Sequence, residues 1–315
     1  MTKASKAYYN STKFLTIQNQ TQSFYNKFRP LLSDIFQDSD VGFQSAYNIF
    51  DNFNVGYVHN KTIYSNISTE DLFQLRTLAD SQSFDLNYNA SSTNASIGGK
   101  ALAGNILSHL NQTASQSNPN VKVTYFVGAY SPMMAFWGIS GIANASSNFM
   151  GLPDYASTMA FELRRPANTS GFNDLNVRFG FRNGSLPSAE LNYFPMFGRG
   201  QNETDMAWSD FAQAMSRISI SSDAPWCSAC NSNMTFCTGS SSGSASASGV
   251  SSSGSQGNTD QSSQSSGGLS NAAAGGIGAG VTIGVIALIE GAAALWYLGH
   301  RKRPLSPVSS EVGSK

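Results

Sequence analysis

"VTYFVGAYSPMMAFWGISGI", residues 123–142, decides the fold. Its first half belongs to the β-rich run "VKVTYFV" (121–127), which Gly128 ends. A run so rich in β-branched and aromatic residues predicts a strand. Ser131 then suits a helix N-cap, and Pro132 suits the first helical position. The stretch predicts strand, sharp turn and helix, the place where open α/β sheets hold their ligands. Yet no residue between Val127 and Gly141 is charged, and none is histidine. The turn has the shape of a site and lacks a site's ionisable groups.

Upstream, residues 1–115 read as helical. Phe14, Phe24, Phe28, Leu31, Leu32, Ile35 and Phe36 recur at helical spacing. Ser68 with Asp71 resembles a capping box before Leu72, Leu75 and Leu78. "GKALAGNILSHL" (99–110) reads as another helix. Downstream, the period becomes two. "STMAFELRR" sets Met159, Phe161 and Leu163 on one face, and "LNVRFGFRNG" does the same with Leu175, Val177, Phe179 and Phe181 before turning at Asn183-Gly184. These predict antiparallel strands, and Trp208, Phe211, Met215 and Ile218 mark a last amphipathic helix. The fold class expected is α/β.

The chain has 315 residues, with Lys+Arg and Asp+Glu both at 19. A neutral balance argues against a nucleic-acid partner, which needs a basic face. Charged residues are only 12 %, so solubility must come from Ser, Thr, Asn and glycans. Sequons sit at Asn10, Asn19, Asn60, Asn66, Asn89, Asn94, Asn111, Asn144, Asn168, Asn183, Asn202 and Asn233. They predict a glycosylated domain in the secretory pathway. There, Cys227, Cys230 and Cys237 of "WCSACNSNMTFC" are disulfide candidates, and the odd count leaves one unpaired. Zinc would need a fourth ligand, and no His or further Cys lies nearby. No metal and no cofactor are expected.

Composition changes at Gly239. A Ser/Gly-rich stretch, 239–271, cannot bury enough apolar area to offset its chain entropy and reads as a disordered stalk. Residues 272–299 are long and apolar enough to span a bilayer, and Arg301, Lys302 and Arg303 mark the cytoplasmic side. Residues 300–315 form a cytoplasmic tail, and 1–238 lie outside the cell or in a lumen. The plasma membrane is the default location, with the vacuole as the other. Gly276, Gly280 and Gly284, four apart, offer a face for helix–helix association, although glycine is common in membrane spans. Glu290 sits in the apolar stretch, where it either pairs with a partner helix or is tolerated in protonated form. The first 18 residues contain no run typical of a signal peptide.

Taken in order, "AYNIFDNFNVGYVHN", "EDLFQLRTLAD", "FVGAYSPMMAFWGISGI", "LPDYASTMAFELRR", "VRFGFRNGS", "WSDFAQAMSRI" and "WCSAC…FC" resemble the histidine phosphatase superfamily. The resemblance is to its acid phosphatase and phytase branch, especially fungal membrane-anchored members, and covers about Phe14 to Cys237. It implies a partial α/β sandwich with a helical insertion holding most of residues 1–110. The family's catalysis uses an early R-H-G-x-R-x-P, with its nucleophilic histidine, and a late H-D or H-E proton-donor pair. The early motif is absent: the only histidines are His59, His109 and His300, and none follows an arginine. The late pair falls on Ala129 and Tyr130, which can neither hold phosphate nor serve as a good acid. Arg164, Arg165, Arg178 and Arg182 are left as solvated strand charges or anion contacts. The resemblance thus implies a membrane-anchored phosphatase-like protein without catalysis, serving binding or cell-surface work. The alternative is an acid phosphomonoesterase whose natural chain begins upstream with a signal peptide and the R-H-G segment, with an acid such as Asp154 in the donor's role.

Overall fold

The computed structural model describes residues 3–59, 67–92, 94–117 and 120–238. The stalk (239–271), the span (272–299) with Gly276, Gly280, Gly284 and Glu290, the tail with His300, and the sequons at Asn60 and Asn66 lie outside them. Among the described residues no helix is long and apolar enough to cross a membrane.

The N-terminal part is helical. It runs α1 (Lys3–Tyr9), α2 (Thr12–Asn26), α3 (Arg29–Leu32), α4 (Ala46–His59), α5 (Thr69–Asn87) and α6 (Ile97–Ala114). Side-chain caps set two of the starts. Ser11 Oγ accepts the Phe14 N–H at 3.2 Å, and Ser68 Oγ accepts the Asp71 N–H at 3.0 Å. The helical spacing read from the sequence buries Phe14, Phe28 and Leu32 and leaves Leu31 and Ile35 outside. Burying each large apolar side chain contributes about 1.5–3 kcal/mol.

α7 (Tyr130–Ile139) and α8 (Ile142–Ala145) follow, then β1 (Thr158–Arg164), β2 (Asn176–Arg182), β3 (Asn192–Phe194) and β4 (Asp205–Ala207), and finally α9 (Trp208–Ile218), α10 (Asp223–Cys230) and α11 (Thr235–Thr238). The chain is a mixed α/β fold with a four-stranded antiparallel sheet. β2 pairs with all three other strands. Register places Met159 opposite Phe181, Phe161 opposite Phe179 and Leu163 opposite Val177, so the predicted apolar faces coincide. That face meets α7 and α9: Phe136 packs on Phe161 at 5.6 Å, Trp137 on Phe181 at 5.2 Å and Phe211 on Phe161 at 6.3 Å.

α7 also lies against α6 with its backbone exposed to close approach. A Cβ on Gly99 would stand 2.5 Å from the Ala135 carbonyl carbon. A Cβ on Gly138 would meet the Tyr88 ring at 2.2 Å. Only glycine fits at either position.

Two expectations are corrected. Residues 121–129 form no strand, and all nine are exposed. β propensity measures the fit of a side chain to its ladder neighbours, and β2 is already flanked by β1 on one edge and by β3 and β4 along the other. The run has joined neither edge. The helix after it begins at Tyr130, with extended Ala129 (φ −75°, ψ 164°) as N-cap, instead of at Pro132 behind Ser131. Pro132 is the third helical residue, where its missing N–H has no intrahelical partner to lose.

Candidate functional site: the tyrosine turn

Ala129 caps α7 without a side-chain hydrogen bond, so the helix's first N–H groups receive nothing from the position that the resemblance gives to histidine. Tyr130, beside it, is half-buried. Its ring packs on Tyr47, tilted by 39°, at 4.9 Å between centroids. Tyr47 is placed there by a buried amide. Gln82 on α5 donates to the Phe43 and Gln44 carbonyls at 2.8 and 2.6 Å and accepts the Tyr47 N–H at 3.1 Å. All three bonds of a buried polar group are met, which fixes the turn into α4 against α5.

The rest of the cluster comes from a distant segment. Tyr155 donates its hydroxyl proton to Asp51 Oδ1 at 2.8 Å and hydrogen-bonds Tyr47. Burial pushes the Tyr130 hydroxyl up to about 12, and the neighbouring Tyr47 adds to this, while hydrogen bonds from Ser83 and Ser131 pull the other way. Burial likewise pushes Tyr47 up to about 12, with Asp51 adding to it. A group that holds its proton so firmly is a poor general acid near neutral or acidic pH. Tyr47, Gln82, Ser83, Asn87, Tyr130 and Ser131 border a cavity of about 320 Å³. Its chemistry is that of hydroxyls, amides and rings.

A larger cavity, about 690 Å³, opens along a neighbouring stripe of α5. Trp137, Phe149, Phe181 and Phe194 contribute to its lining, with Phe149 edge-on to Phe194 at 4.7 Å. Its charges are paired off. Lys13 meets Asp85 at 2.7 Å, and Arg76 meets Asp80 at 3.0 Å. Burial pushes the Asp80 carboxyl up, against the opposing pull of the Leu152 N–H and Arg76. Arg76 also donates to the Leu152 carbonyl and to Asp154.

The other predicted residues are dispersed. Asp154 gives Oδ1 to Arg76 and Oδ2 to Asn183, both at 3.1 Å. His59 ends α4 in an exposed position, and His109 packs on Phe126. The four arginines do not converge. Arg164 pairs with Asp205 and Arg178 with Glu162, while Arg165 donates to the Ser170 carbonyl and Arg182 to the Ala189 and Leu186 carbonyls. Cys227 and Cys237 form a disulfide, and Cys230 is free and exposed. Among the described residues no three His, Cys, Asp or Glu side chains gather as a metal site.

Asn10, Asn19, Asn89, Asn94, Asn111, Asn144, Asn168, Asn183, Asn202 and Asn233 are all exposed. Asn89 Oδ1 accepts the Ser91 N–H at 2.8 Å, and Asn183 is held across the fold: Oδ1 accepts from the Asp154 N–H and the Ser157 hydroxyl, both at 2.9 Å, while Nδ2 donates to Asp154. Sequence reading missed Tyr47, Gln82 and Tyr155. No local motif marks them, because each reaches the turn through tertiary contact.

No model of a known family matches the chain, and no curated protein matches it closely.

Proposed function

We propose that the chain is a membrane-anchored, glycosylated protein of partial histidine-phosphatase-like sandwich architecture, with a helical insertion, that binds at the tyrosine turn and does not hydrolyse phosphoesters. One observation carries the reading. At the start of α7, where the resemblance puts the family's proton donor, Ala129 offers no side-chain bond and burial beside Tyr47 pushes the Tyr130 hydroxyl up to about 12.

Three further features support it. The described sequons are exposed, as glycan acceptors must be. The Cys227–Cys237 bond suits an oxidising compartment. The apolar stretch 272–299 before Arg301, Lys302 and Arg303 suits a single span with the domain outside. The binding surface is the cavity of about 320 Å³ bordered by Tyr47, Tyr130 and Ser131, whose volume falls in the range of small-ligand sites. Asp154 as a substitute acid is disfavoured, because Arg76 and Asn183 hold both its oxygens.

The test is hydrolysis of p-nitrophenyl phosphate and phytate by the purified full chain across acidic and neutral pH. No turnover is expected. Turnover abolished by Tyr130→Phe would contradict the proposal.

A further inference from the structure

The cavity of about 320 Å³ at the tyrosine turn has a border that selects its ligand. Tyr9 of α1, Tyr47 of α4 and Tyr130 of α7 bring three rings to it. Apart from Leu86, every described residue on its border is a tyrosine, a serine, an asparagine or a glutamine. None of them is charged. The larger cavity differs, since Lys13, Arg76, Asp80 and Asp85 border it. A charged ligand entering the small cavity would lose its hydration and gain no counter-charge. An anion fares worst, because the Asp51 carboxylate already adds to the upward push on the Tyr47 and Tyr130 hydroxyls. A cation gains no direct contact from Asp51, which lies off the border and accepts the Tyr155 hydroxyl.

We propose that this cavity takes an uncharged sugar ring and excludes phosphate. Hydroxyls and carboxamides both donate and accept, as the hydroxyls of a sugar do. Asn48 borders the cavity from an exposed position on α4. Asn87 donates one amide proton to the Ser83 carbonyl at 2.8 Å and keeps a second donor and its carbonyl oxygen. The tyrosine rings supply apolar surface for a sugar's C–H groups. Tyr47 and Tyr130 already pack on each other at 4.9 Å, so no planar base can stand between them. The volume lies at the small end of ligand sites, about 300–1,000 Å³, and suits one or two sugar rings. The ligand class rests on the tyrosine turn being a binding site, and the two fail separately. A chain that bound no sugar and hydrolysed no phosphoester would overturn the ligand class alone.

The test titrates the purified full chain, held in a detergent without a sugar headgroup, with D-glucose, D-galactose, D-mannose and N-acetyl-D-glucosamine, read by saturation-transfer NMR. At least one of the four is expected to bind, and inorganic phosphate is expected not to compete. Asn48→Leu, at an exposed position, is expected to weaken that binding about 2- to 10-fold, the span of one hydrogen bond. Asn192→Leu, exposed and bordering the larger cavity instead, is expected to leave it unchanged. Binding of none of the four, no loss in Asn48→Leu, or equal loss in both variants would overturn the proposal. So would binding of inorganic phosphate, choline or adenosine that is tighter than that of every sugar and is weakened by Asn48→Leu.

Discussion

At Tyr130 the decisive property is a proton that stays in place. Burial raises the Tyr130 and Tyr47 hydroxyls to about 12, and it raises Tyr8 and Tyr25 as well. In the unfolded chain a tyrosine ionises near pH 10. Below about pH 10 both states hold their protons, and these groups give no pH dependence. Between about 10 and 12 the unfolded chain loses protons first, so it binds fewer than the folded chain and stability falls as pH rises. The urea midpoint should therefore drop between about pH 8 and about pH 11, and the drop should be shallower in Tyr47→Phe and Tyr130→Phe. An identical drop in the variants would remove the tyrosine cluster from the account. At this scale the sequence was half legible. Ala129 and Tyr130 could be placed within a few residues of a helix start, because Ser131, Pro132 and the apolar run after them mark one locally, although the strand expected before them does not form. Gln82 could not be identified, because its three bonds run to residues 35 to 39 positions away.

Among the elements, the contact of α6 with α7 shows how backbone proximity fixes the site. Gly99→Ala drives a methyl into the Ala135 backbone, and overpacking of this kind typically costs about 1–3 kcal/mol. Gly128→Ala, with open space around it, should stay within about 0.5 kcal/mol of the parent. Chemical denaturation of the two variants checks the contrast, and equal effects would contradict the close helix contact. α5, α6, β1, β2 and α9 were legible because their apolar spacing matches the faces they turn to the core. The run 121–127 was misread for a physical reason. Its composition favours a ladder, but it pairs with no strand of the sheet, and local propensity cannot say whether a partner is present.

For the whole molecule, the cysteines separate a structural bond from a spare thiol. Cys227→Ser should lower the stability of the α10–α11 region by about 2 kcal/mol. Cys230→Ser, at an exposed position, should stay within about 0.5 kcal/mol. The reverse order would mean a different pairing. The sequence restricted the bond to three cysteines but could not choose among them, since pairing depends on how α10 and α11 fold back. The central claim concerns chemistry. α7 starts on an alanine cap without a side-chain bond and a tyrosine whose hydroxyl burial keeps protonated, and the proposed function rests on that pair lacking an acid. The most direct measurement is the rate of p-nitrophenyl phosphate hydrolysis by the purified full chain beside its Tyr130→Phe and Asp154→Asn variants. The account predicts that all three equal the buffer blank. Turnover by the parent that either variant loses would contradict it.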